Sequence, residues 1–274
     1  MAGGNEPKHE QSMRDVFAEL SEAAMSDPDP VKRAQKQMQK PLPRRFYEKA
    51  GVKEQGGAFL VTLDGKPVRT PARNLLTLPT AELANAVAAE WEAQAEVIDP
   101  AAMPLTRLAN TALDGVATDM QAVAEDVLRF AGTDLLCYRA EGPERLVERQ
   151  SAAWDRVIDW AATGLGGRFV LAEGVMHVAQ PKEALAAFSA HLRAFDTPLR
   201  LAALHLATSL TGSALIAMAL AKGEVSADEA WTKAHVDEDW NAELWGEDYE
   251  AARRRAARRR DFDAAAMVLG GCVR

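Results

Sequence analysis

Residues 132–140 read GTDLLCYRA and place Asp134, Cys137, Tyr138 and Arg139 within six positions. An acid, a thiol, a phenol and a guanidinium this close are the parts of a catalytic centre. The carboxylate would orient or move a proton, the thiolate would attack, and the cation would hold an anion. A nucleophilic cysteine also needs a base in reach, and no histidine lies near Cys137 in sequence. A lone cysteine otherwise serves as a small core residue. Two readings follow. Either the segment belongs to a packed helix, with Asp134 bonding locally and Cys137 in the core, or Asp134 and Arg139 line a partner groove.

Other chemistries find less support. The histidines are His9, His177, His191, His205 and His235, with no two spaced three or four apart and no H-E-x-x-H. Metal-ligand spacing is therefore missing. There is no G-x-x-x-x-G-K-[ST], no G-x-G-x-x-G after a strand and no G-x-S-x-G. The glycines of TGLGGRF, residues 163–169, follow a helical stretch and read as a helix stop and loop. No metal or cofactor is expected.

The C-terminal region has the least common composition. VDEDWNAELWGEDYE, residues 236–250, carries Asp237, Glu238, Asp239, Glu243, Glu247, Asp248 and Glu250 around Trp240 and Trp245. RRRAARRR follows at 253–260. Acids early and bases late suit the dipole of a single helix, in which Glu250 stands one turn from Arg253 and Arg254. Tryptophan among charged residues is interface composition; packing of one or both rings in the core is the competing account. The basic run resembles a nucleic-acid footprint, but the adjacent acids, a net charge of −8 and a pI near 5.3 argue against one.

These residues must be positioned by a chain of 274 residues, 48% hydrophobic, which suffices for one large core or two modest ones. Residues 1–40 are polar and read as a poorly ordered arm, apart from Met13, Val16, Phe17 and Leu20 at helical spacing. In AFLVTLDGKPVRT, Phe59, Val61 and Leu63 alternate before Asp64-Gly65, a type I′ hairpin signal. Pro67 puts the returning strand at an edge, and NLLTLP supplies a further short strand. From Thr80 onward the spacing is helical: Leu83, Val87 and Trp91; Leu105, Leu108, Ala112 and Val116; Val123, Val127 and Phe130; then Leu146, Trp154, Ile158 and Trp160. RFVLAEGVMHVA reads as partly extended, and 182–195 as a helix. The apolar run 199–223 contains Arg200, His205 and Gly212, so it reads as a core helix rather than a membrane span. Thr197-Pro198 marks its start, Gly223 its stop, and Gly212 a break or close crossing.

The predicted fold is α+β: a small two-layer α/β unit with antiparallel strands over 41–118, then a mainly helical unit over 119–274. The first residues lack an apolar signal core, and Glu6, Glu10, Asp15 and Glu19 disfavour an import presequence. Two distant cysteines, Cys137 and Cys272, suit a reducing compartment. A cytoplasmic protein is expected.

Five stretches in order, 63–79, 83–94, 103–116, 132–160 and 237–248, together resemble the assembly chaperone that binds the α subunit of F1-ATPase. The similarity runs from about Arg44 to the C-terminus. It implies a holding activity without catalysis, ATP or cofactor, a monomer, and the α subunit as partner. Nucleic-acid binding and membrane insertion are not implied. Relatives in mitochondria work in the matrix; this chain resembles a bacterial version. The family also carries a functionally important acid near a C-terminal Trp-Gly, here Trp245-Gly246. Partner binding is accordingly expected at Asp237, Asp239, Trp240, Glu243 and Trp245. Past Gly246 the chain reads EDYEAA, where mitochondrial members tend to show a His-Asp pair. The alternative is a small-molecule enzyme with a pocket between the two units, using Asp134, Tyr138 and Arg139.

Overall fold

A computed structural model describes residues 42–174, 176–246 and 248–270. The arm 1–40, including Met13, Val16, Phe17 and Leu20, lies outside the described residues, as does Cys272. The chain divides into two compact units, 1–115 and 116–274.

In the first unit, β1 (Ala50–Gln55) and β2 (Ala58–Leu63) pair antiparallel from Ala50↔Leu63 to Gln55↔Ala58. β2 then turns through Asp64-Gly65 into β3 (Lys66–Pro67), with Leu63↔Lys66 the closing pair. Both turn residues have positive φ, 49° and 77°, as a type I′ turn requires. β4 (Thr77–Leu78) also pairs with β2, through Phe59↔Leu78 and Leu60↔Thr77. As the centre of this sheet, β2 buries Leu60, Val61, Thr62 and Leu63 in succession. Helix α1 (Ala81–Glu92) is capped by Thr80 and lays Leu83, Ala84, Val87, Ala88 and Trp91 on the sheet.

Helix α2 (Pro104–Asp114) has no side-chain cap of its own. Glu90 of α1 replaces it, accepting from Leu105 N (2.7 Å), Thr106 N (2.8 Å) and Thr106 Oγ1 (2.7 Å). The negative carboxyl sits where the helix dipole favours it. At the other end, Asp114 accepts from Thr70 Oγ1, Ala72 N and Asn74 Nδ2 and so pins the loop around Arg73.

The second unit is helical: α3 (Met120–Gly132), α4 (Glu144–Gly164), α5 (Lys182–Leu192), α6 (Pro198–Thr211), α7 (Ala214–Lys222), α8 (Ala227–Ala234), α9 (Val236–Trp245) and α10 (Tyr249–Leu269). Two short parallel strands, β5 (Tyr138–Arg139) and β6 (Ala172–Glu173), join them. Helix α7 is the centre. Every residue from Ala214 to Leu220 is buried, so it is apolar all round and enclosed by α3, α4, α6, α8 and α10. The apolar run thus forms two helices, broken at Gly212 in the left-handed conformation, with Ser213 capping the second. No described helix is long and apolar enough to cross a membrane.

The acids and bases of the C-terminal region, expected on one helix, lie on two. Gly246 ends α9 at φ 87°, ψ 161°, a region open only to glycine, and Asp248 caps α10.

A candidate protein-binding site on the C-terminal helices

Helix α9 is built inside out. Of its ten residues only Val236 is fully buried. Its inner side is held by polar contacts. Asp237 Oδ1 accepts from Gln150 Nε2 of α4 at 2.8 Å, and Gln150 in turn accepts from Ala140 N at 2.8 Å. Glu243 takes both its oxygens to Arg149 Nη1 of α4, each at 2.8 Å. Asp239 pairs with Arg255 of α10 at 2.5 Å, and Glu238 with Arg258 at 3.6 Å. Trp240 is half-buried between these groups. The base of the helix is fixed by His235, whose ring stacks on Trp231 and donates from Nδ1 to Trp231 O at 2.7 Å. Burial holds its pKa below the usual value.

The outer side is apolar. Leu244 is 56% exposed, Trp245 84% and Tyr249, just past the Gly246 turn, 74%. The structure therefore separates the five expected residues. Asp237, Asp239 and Glu243 are engaged inside the chain, Trp240 is half inside, and Trp245 faces solvent.

The 253–260 arginines are divided as well. Arg255 holds Asp239, Arg258 holds Glu238 and Leu210 O, and Arg259 lies between Asp228 and Asp263 while covering Trp231. Arg253, Arg254 and Arg260 remain exposed. The stretch closes ion pairs within the unit rather than forming a continuous basic face.

The segment 134–139 is corrected on two counts. It is not a helix: Asp134 caps a 3-10 turn, Leu135–Cys137, which runs into β5. Nor does it line a groove, since Asp134 is 0% and Arg139 8% exposed. Asp134 accepts from Leu136 N (3.1 Å), Ser213 Oγ (2.7 Å) and Leu215 N (2.9 Å), tying this turn to the start of α7. Its pKa is pushed up to about 6 by burial, against the pull of those donors. Burial pushes the Cys137 thiol up to about 12, and the Asp134 charge adds to this, so the thiolate a nucleophile needs is suppressed. Arg139 donates to Leu136 O, pairs with Asp155 at 2.8 Å and lies over Trp154. Tyr138 reaches His177 Nδ1 at 3.1 Å on the surface. A groove of about 380 Å³ beside α3, α5 and α6 is lined by Met120, Leu128, Leu192 and Phe195 among others, and none of Asp134, Tyr138 or Arg139 reaches it.

The sequence profile of the ATP12 chaperone protein family matches residues 44–162. A crystal structure of a candidate chaperone from Agrobacterium tumefaciens is 56% identical, covers 96% of this chain and 98% of its own, and superposes with a TM-score of 0.83. Atp12 from Paracoccus denitrificans is 41% identical over 83% of this chain and 97% of its own, with a TM-score of 0.76. The chain belongs to the ATP12 chaperone family. The mitochondrial atp12 protein of Schizosaccharomyces pombe is 22% identical over 249 residues, 85% of each chain. An aspartate-to-lysine variant of the Paracoccus protein has the same likeness as its parent. As an ATP12 chaperone the protein serves ATP synthase assembly, and its α+β fold is that of the Paracoccus Atp12 structure.

For an ATP12 chaperone the informative residues are those that hold α9 and those it presents. Arg149, Gln150, Leu244 and Tyr249 were not singled out from sequence. Once α9 is drawn as a helix, Leu244 and Trp245 fall opposite Val236 and Trp240, and that pattern is the signal that finds them. Because the clasp is mostly ionic and half-exposed, each pair contributes about 0.2–1 kcal/mol. Raising ionic strength to about 1 M, where screening acts within about 3 Å, is expected to speed amide hydrogen exchange in α9 several-fold while α7 is unaffected. Arg149→Ala should do the same at low salt.

Proposed function

We propose that this ATP12 chaperone binds the unassembled α subunit of F1-ATPase, shields its apolar assembly interface and leaves when the β subunit takes its place. The observation that carries the reading is the likeness to Paracoccus Atp12 along 97% of that protein at 41% identity. A subunit waiting for its partner exposes a large apolar face and self-associates unless that face is covered. The cover must bind with moderate affinity, because a permanent one would block assembly. Charged groups at the rim set encounter and orientation more than strength. In α9 the acids Asp237, Asp239 and Glu243 act from behind, holding the helix so that Trp240 and Trp245 are offered in a fixed pose. The chain works as a monomer in the bacterial cytoplasm, without a bound cofactor.

The test is a pull-down with purified α subunit alone and with the preassembled α–β pair. Capture of free α and not of the pair is expected. Capture of the pair but not of free α would exclude a holding role. An enzyme reading has no support from the groups first considered for it, because Asp134 and Arg139 are enclosed and Cys137 is held as a thiol.

A further inference from the structure

We propose that Leu244, Trp245 and Tyr249 form the anchor of the contact, and that it seats in an apolar pocket with a basic rim on the unassembled α subunit. This rests on the reading above and adds to it both the gripping residues and the chemistry of the surface they fit.

Three neighbouring large side chains, 56%, 84% and 74% exposed, form a costly arrangement for a surface that meets only water. Tryptophan and tyrosine are the side chains that dominate interface energetics when they enter a pocket. The corner is also held in advance. Gly246 N bonds Ala242 O at 2.9 Å to close α9, the glycine turns at φ 87°, and Asp248 starts α10 by accepting from Glu250 N at 3.1 Å. The Arg149 and Arg255 clasps fix the helix behind Trp245. An anchor positioned before binding loses little freedom on binding.

Charge identifies the rim of the pocket. Residues 236–250 contain seven acids and no lysine or arginine. Asp237, Glu238, Asp239 and Glu243 have partners on α4 and α10. Beside Tyr249, Asp248 serves as a cap, and Glu250 meets Arg254 only at 4.0 Å with its side chain 79% exposed. The corner is thus apolar with an acidic border, and its complement is apolar with a basic border.

The experiment measures binding of the full chain to purified α subunit by calorimetry at low and high salt. Trp245→Ala is expected to weaken binding about 30-fold, the size of a hot-spot loss, and Tyr249→Ala about tenfold. Glu250→Lys should weaken binding a few-fold and reduce its salt dependence. All three positions are solvent-exposed, so unchanged urea unfolding is the check on folding. Met176→Ser, at another exposed apolar residue (76%), serves as the control expected to bind normally. If wild type binds α and Trp245→Ala binds equally, the anchor is overturned while the partner stands. If wild type does not bind α, the partner reading itself fails. A dimer of the free chain in sedimentation, lost in Trp245→Ala, would assign the corner to a second copy and overturn the proposal.

Discussion

Asp134→Ala is expected to destabilise the helical unit by about 3 kcal/mol at neutral pH, although residue 134 touches no partner surface. The substitution strips Leu136 N, Ser213 Oγ and Leu215 N of their common acceptor inside the core. Buried donors left without partners cost about 1–3 kcal/mol each, with partial relaxation. The effect depends on pH with a definite sign. The native carboxyl keeps its proton up to about pH 6, whereas an ordinary aspartate releases it near 3.8. The native state therefore binds more protons in that window, and this group's contribution is greatest below it and declines as pH rises through 6. Urea unfolding should show a wider gap between wild type and Asp134→Ala at about pH 4.5 than at about pH 7.5. Equal gaps would show that the carboxyl is ionised throughout.

The second large effect is at Trp154, on the α4 helix that also clasps α9. Its ring is fully buried, its Nε1 donates to Lys233 O at 2.7 Å, and Arg139 lies over it at 5.2 Å. Trp154→Ala is expected to cost about 3–5 kcal/mol, the range for removing a buried aromatic side chain. Trp154→Phe should cost less, since it keeps most of the ring and loses chiefly the bond to Lys233 O. The same unfolding curves give both values. Because α4 carries Arg149 and Gln150, loosening it should also raise hydrogen exchange in α9, which a loss confined to α7 would not do.

Local signals made much of this legible in the sequence. Asp64-Gly65 between apolar runs specifies its turn by backbone conformation alone, and the two residues adopt it. Thr197-Pro198, Gly212 and Gly223 punctuate the apolar run as start, break and stop, because proline and glycine act on their own backbone. Strand β1 was missed. AGVKEQ has a single large apolar residue, and its extended form comes from pairing with β2 across the Gly56-Gly57 turn. The segment after Asp134 was misread as helix for a similar reason. Its carboxyl is satisfied by groups 79 and 81 positions away, a closure that periodicity does not record. At the C-terminal site the composition pointed to the right stretch, but not to which side of α9 faces out. That depends on Arg149, Gln150 and Arg255, which come from other helices.

The central claim is a cover that the next subunit displaces. Its most direct measurement starts from a purified complex of this chain with α subunit, carrying a fluorescent label on the chaperone, and titrates in β subunit. The account predicts that the labelled chain is released in step with α–β formation, to completion at equimolar β. Formation of a stable complex of all three, or no release while α–β contacts form, would contradict it.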